Sequence, residues 1–161
     1  MDKVEILKEH QWLQQLVGEW TYESEIQMGP DQPPLKFGGT ESVRSIGGIW
    51  VVAEGRGEMP NGEPATTMLT VGYDPQKKKF VGTWFGSMMH YLWVYEGSLD
   101  AAGHALTLET EGPNCMGGGG MTKFKEVVEV RPDGQRTFSS NMLGEDGNWS
   151  RLMNIKYTRV K

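Results

Sequence analysis

The chain has 161 residues, a formal net charge of −5, 37% hydrophobic and 23% charged residues, a length that suits one core, so 1–161 reads as a single domain. Its apolar runs are broken too often to supply the roughly 20 residues of a bilayer span, and no basic stripe is present to neutralise several phosphates, so a membrane span and a nucleic-acid partner are both disfavoured. Met1-Asp2-Lys3-Val4-Glu5 leads into no apolar signal region and the lone Cys115 can form no disulfide within the chain, which together point to a cytoplasmic address.

From Val4 to Val17 the apolar residues Val4, Ile6, Leu7, Trp12, Leu13, Leu16 and Val17 fall mostly on one face of a 3.6-residue period, which predicts one short N-terminal helix within 1–17. Gly18 ends it, as a residue free to adopt positive φ does at a helix C-terminus. The period then switches to two. Trp20, Tyr22, Ser24, Ile26 and Met28 alternate with Glu19, Thr21, Glu23, Glu25 and Gln27, the pattern of a strand with one buried and one wet face.

Beyond Pro30, Pro33 and Pro34, the same alternation predicts strands over Lys36–Ile46 and Ile49–Glu58, joined at Gly47-Gly48, and then Thr66–Tyr73 after Asn61-Gly62. Asp74-Pro75-Gln76 has type I turn chemistry, and Lys77, Lys78 and Lys79 read as its solvated tip. Strands Phe80–Ser87, His90–Leu99 and Ala105–Glu111 follow. The glycine-rich run from Pro113 to Gly120 lacks the strand-to-helix context and the lysine of a phosphate loop, so it reads as a flexible loop or portal flap. Thr122–Arg131, Arg136–Leu143 and Trp149–Arg159 complete the series through Asp133-Gly134 and Asp146-Gly147, which are strong hairpin signals. The fold class is therefore all-β: a single antiparallel up-and-down barrel of about ten strands over 18–161, with the short helix ahead of it. About eight strands leave an interior that side chains just fill, so about ten leave a cavity unless large residues occupy it.

The segments His10-Gln11-Trp12-Leu13, Gly18-Glu19-Trp20, Gly39-Thr40-Glu41-Ser42, Val71-Gly72-Tyr73-Asp74, Trp84-Phe85-Gly86-Ser87-Met88-Met89, Tyr95-Glu96-Gly97 and Tyr157-Thr158-Arg159 span nearly the whole chain. In that order they resemble a bacterial family known as a domain of unknown function, with a lipocalin-like, calycin-type barrel. The resemblance implies the fold and no established substrate, cofactor or catalytic residue. It also implies a structural base: calycins place a Gly-x-Trp at the start of the first strand, its indole packed against a basic residue from the last. The matching positions are Gly18, Trp20 and Arg159, where a guanidinium can lie over the ring while its donors reach backbone carbonyls.

Among ionisable residues Glu126 is the most informative, because Thr122, Phe124, Glu126, Val128 and Val130 share one strand face while Lys123, Lys125, Glu129 and Arg131 lie mainly on the other. An inward carboxylate must find a partner or take up a proton, and the inward cations expected for it are Arg44, Arg56 and Arg151. It either fixes the polar head of a ligand, acts as an acid or base, or closes an internal ion pair. Strand Ile49–Glu58 allows two readings. One parity brings Trp50, Glu54 and Arg56 inside; the other brings Ile49, Val51, Ala53, Gly55 and Gly57. His90 likewise shares a face with Leu92 and Val94, opposite Tyr91, Trp93 and Tyr95, and either face can be the dry one.

Met88-Met89-His90 with Cys115, Met116 and Met121 offers soft ligands of the kind Cu(I) takes, but adjacent strand residues alternate sides, so these methionines read as adaptable core fillers and no metal is expected. His10, His90 and His104 lack zinc spacing, and no histidine follows His104 where a haem-binding barrel takes its iron ligand, so no cofactor is expected. No Ser, Cys or His stands in a nucleophile-elbow context. The leading expectation is a barrel that binds a small apolar or amphipathic molecule, its lining drawn from Tyr22, Arg44, Trp50, Glu54, Trp84, His90, Trp93, Glu126 and Met153. The alternatives are an enzyme using an internal carboxylate and a structural or partner-binding barrel filled by its own aromatics. A homodimer formed by strand pairing across a twofold stays open.

Overall fold

The computed structural model describes residues 3–26, 31–114 and 119–160. Its helix, α1 (Lys8–Gln14), is shorter than the apolar periodicity suggests. Leu7 is extended (φ −95°, ψ 170°) and its N–H donates to His10 Nδ1 at 2.9 Å, so the helix starts only after it. Val4 and Ile6, ahead of that point, are exposed. With Nδ1 accepting, Nε2 carries the ring proton and donates to the Tyr73 carbonyl at 3.0 Å, which ties the helix to the barrel. Trp12 does the same from the neighbouring turn, its Nε1 donating to the Gly103 carbonyl at 2.7 Å.

Ten strands follow: β1 (Gly18–Ile26), β2 (Leu35–Ile46), β3 (Trp50–Glu58), β4 (Pro64–Asp74), β5 (Lys79–Gly86), β6 (Trp93–Leu99), β7 (Ala105–Pro113), β8 (Met121–Val130), β9 (Arg136–Leu143) and β10 (Trp149–Arg159). Each pairs antiparallel with the next, and β1 pairs with β10 to close the barrel. Closure leaves no free sheet edge. The all-β, ten-stranded antiparallel barrel expected from the alternating pattern is thus the observed fold. Met28 and Pro30 lie outside the described residues, as do Cys115 and Met116.

The helix packs on β3 and β4 and covers the end at which β1, β3, β5, β7 and β9 begin. Beneath it Leu13, Leu16, Val43, Val51, Val71, Phe80 and Leu106 form a buried apolar layer. The opposite end is formed by the connections between paired strands, among them 59–63, 87–92 and 144–148. The stretch 87–92 is one departure from expectation. The Ser87 N–H donates to the Thr66 carbonyl and the Met89 N–H to Gly86, turning the chain before β6 can start. His90 therefore sits exposed in a connection and not on a strand. The β6–β7 ladder is also short, running only from Glu96↔Glu109 to Leu99↔Leu106. Among the described residues no helix is long and apolar enough to cross a membrane.

Candidate ligand-binding site

Small residues on one parity of β3 open the interior. Val51 and Ala53 face inward, and Gly55 and Gly57 follow them on the same side, so the middle of this strand contributes little volume to the barrel. Gly39 and Gly57 have a further role: the Tyr22 hydroxyl lies 2.8 and 2.5 Å from where a Cβ on each would stand, too close for a side chain, so the phenol can lie across both strands. The result is a cavity of about 460 Å³ whose lining is mainly aliphatic, aromatic and methionine side chains. Tyr22, Trp84, Trp93, Glu126 and Met153 all line it.

Four expected lining residues do not. Trp50 faces outward, 41% exposed, its ring filling the space above Gly72, where any side chain would collide with it. Glu54 lies on the same outer face and binds Arg56 at 2.6 Å. Arg44 alternates with inward Val43 and is exposed, and His90 is exposed in the 87–92 connection. None of the three arginines expected to meet Glu126 does so, because Arg44, Arg56 and Arg151 are all exposed.

The internal cation is Arg136, at the start of β9, which shares its parity with Phe138, Ser140 and Met142. That alternation is a local signal that the sequence carries. Arg136 donates to the Glu41 carboxylate, and both side chains are buried. Its guanidinium carbon lies 3.8 Å from the centroid of the Tyr157 ring and 4.7 Å from that of Trp20. Arg159 sits 4.2 Å from the centroid of Trp20 and donates to the carbonyls of Val17 and Gln15 at 2.7 Å each. The indole is 1% exposed and its Nε1 donates to the Leu16 carbonyl at 2.9 Å. Two cations thus flank one ring at the helix end of the barrel, a geometry in which the ring quadrupole offsets part of the cost of burying charge. Burial, followed by the Glu41 charge, pushes the Tyr157 hydroxyl well above its ordinary range, while Arg136 pulls the other way.

Glu126 lies about midway along β8, opposite Leu108 of β7 and Ser140 of β9. It is 7% exposed, and Ser140 donates a hydrogen bond to its carboxyl. Among the described residues its Oε2 has no hydrogen-bond partner. Burial raises its pKa to about 7, an effect the Ser140 bond only partly offsets. Tyr95, also in the cavity wall, has its pKa raised well above the usual value, first by burial and then by Glu126. Around them Trp93 packs edge-on to Phe124 at 4.9 Å between centroids, and its Nε1 approaches Met89 Sδ at 3.1 Å. The lining reaches the surface at Met88 and Met89, 36% and 42% exposed, in the connection opposite the helix end. Among the described residues no group of three or more His, Cys, Asp or Glu side chains is placed to hold a metal ion.

The model of a family described as "Protein of unknown function (DUF1579)" matches residues 5–159. The chain belongs to this family. Among solved structures it is similar to one described as "Crystal Structure of Rv2717c from M. tuberculosis", with a TM-score of 0.67 and 12% identity, covering 98% of this chain and 100% of that one. At that identity the likeness extends to the barrel fold. No curated protein matches the chain.

Proposed function

We propose that this protein is a small-molecule binding barrel whose ligand is apolar or amphipathic, taken up as one domain with the barrel running from Gly18 onward. The observation that carries this reading is the cavity itself. Its volume, about 460 Å³, falls within the range of ligand pockets, and a mainly apolar wall with few convergent polar groups is their usual chemistry. Tyr22, Trp84, Trp93 and Met153 supply the wall in contact with the ligand and Glu126 the polar point within it. Gly18, Trp20 and Arg159 are the calycin-type base beneath, a structural role supported by the guanidinium stacked on the indole.

A second reading, an enzyme working through Glu126, is favoured by the placement of that carboxyl near pH 7, where acid–base catalysts operate. It is the weaker reading because its polar neighbours, Ser140 and Tyr95, supply neither a second carboxylate nor a base. Native mass spectrometry of protein purified without denaturation tests the binding proposal. The expected result is a bound species of small mass that denaturation releases. If protein purified this way carries nothing, and a panel of amphiphiles neither binds nor shifts its Tm, the interior is not a ligand site.

A further inference from the structure

The proposal that follows rests on the binding-barrel reading and concerns what kind of head group the cavity accepts. Its ionisable lining, among the described residues, is uneven: Glu41, Glu126 and, exposed at its edge, Glu58, against one arginine. One guanidinium, Arg136, reaches the interior, and it is already committed: it donates to Glu41 and its faces lie against Tyr157 and Trp20. A carboxylate or phosphate on a ligand would have to share this guanidinium with Glu41, beside a buried charge of its own sign. Among the described residues no lysine lines the cavity.

Glu126 is in the opposite condition. It is buried in the wall, Ser140 satisfies part of its carboxyl, and Oε2 has no partner among the described residues. A buried acceptor left unsatisfied is costly, so a donor that arrives with the ligand gains more here than it would in water. We propose that Glu126, with Ser140 holding its carboxyl in place, is the head-group site of the cavity, and that it selects amphiphiles ending in a hydrogen-bond donor, an amine or a hydroxyl, over those ending in a carboxylate. Trp84, Trp93 and Met153 then take the apolar body.

The assignment is tested by calorimetric titration of the protein, at neutral pH, with three ligands that share one alkyl chain: decylamine, decanol and decanoic acid. Decylamine and decanol are expected to bind at least about tenfold tighter than decanoic acid, a ratio worth roughly one hydrogen bond. In Glu126→Gln the amide carbonyl still accepts a hydrogen bond but carries no charge. The advantage of decylamine should fall by about tenfold or more, while decanol changes by less than about threefold. Wild-type ranking alone keeps the test decisive if the variant fails to fold. Equal binding of all three, tighter binding of decanoic acid, or an amine preference that survives in Glu126→Gln overturns the head-group assignment and leaves the binding barrel intact. No binding of any of the three overturns the head-group assignment, and the binding barrel falls with it only if natively purified protein also carries no bound species.

Discussion

At the scale of single residues the helix end of the barrel is held by charge placed against aromatic rings. Trp20 is almost completely buried between the Arg136 and Arg159 guanidinium groups. Truncating it to Ala removes the packing and the surface on which both cations lie, so Trp20→Ala should cost roughly 3–5 kcal/mol in urea denaturation. The Glu41–Arg136 pair obeys a different rule. Removing either partner strands the other charge in the core, so Glu41→Gln and Arg136→Met should each cost roughly 3–5 kcal/mol, whereas the double variant should cost clearly less than their sum. A double-mutant cycle with additive losses would show that the two side chains do not depend on each other. The strand alternation around Phe124 and Val128 was sufficient to place Glu126 inside. Of the two partners open to it, an arginine or a buried hydroxyl, the hydroxyl of Ser140 directly opposite on β9 meets it, because Arg44, Arg56 and Arg151 are exposed.

At the scale of elements, parity decides which side chains meet the cavity. In β3 the correct parity carried its own mark: a row of Val51, Ala53, Gly55 and Gly57 on one face, against Trp50, Glu54 and Arg56 on the other. Alternation alone leaves both parities open, but in a barrel with a hollow interior the inner face is where volume is withheld. Trp50 finds its contact on the outside, against Gly72 of the next strand. Strand number, turn positions and the antiparallel order were legible because period-two alternation and Asp-Gly or Gly-Gly turns are local signals. The early start expected for β6 failed because the chain turns there through the local bond from the Met89 N–H to Gly86 and the bond from the Ser87 N–H to Thr66 of β4, and the second depends on the fold around it. Where β6 and β7 stop pairing, Trp93 lies over Gly112, and a Cβ on that glycine would fall inside the indole. Gly112→Ala should therefore cost about 1–3 kcal/mol by overpacking and shift tryptophan emission as Trp93 leaves the cavity wall. An unchanged emission spectrum and unchanged stability would place the indole elsewhere.

For the molecule as a whole, closing ten strands into a ring removes every edge but encloses a carboxyl that must be kept neutral or partnered. That requirement makes global stability depend on pH in a definite sense. Glu126 has its pKa raised by burial from 4.5 to about 7, so between those values the folded state binds more protons at this site than the unfolded chain does. Its contribution is fully present below the unfolded value and is lost as pH rises through about 7. The groups facing it do not reverse the sign: Tyr95 stays protonated throughout because its own pKa is raised, Ser140 is uncharged, and Arg136 and Glu41 cancel within the same cavity. The ionisation costs roughly 3 kcal/mol across that window. Asp100 and Asp146, exposed at hairpin tips with pKa values lowered mainly by backbone N–H donors, work in the other direction and lose their contribution as pH falls through the acid range. Comparing wild type with Glu126→Gln cancels everything but the one site. Urea denaturation at pH values from about 5 to 8 should show the wild type losing stability relative to the variant as pH rises. Parallel curves for the two proteins would mean that Glu126 keeps an ordinary carboxylate pKa in the folded barrel, with a partner inside the cavity that holds it ionised.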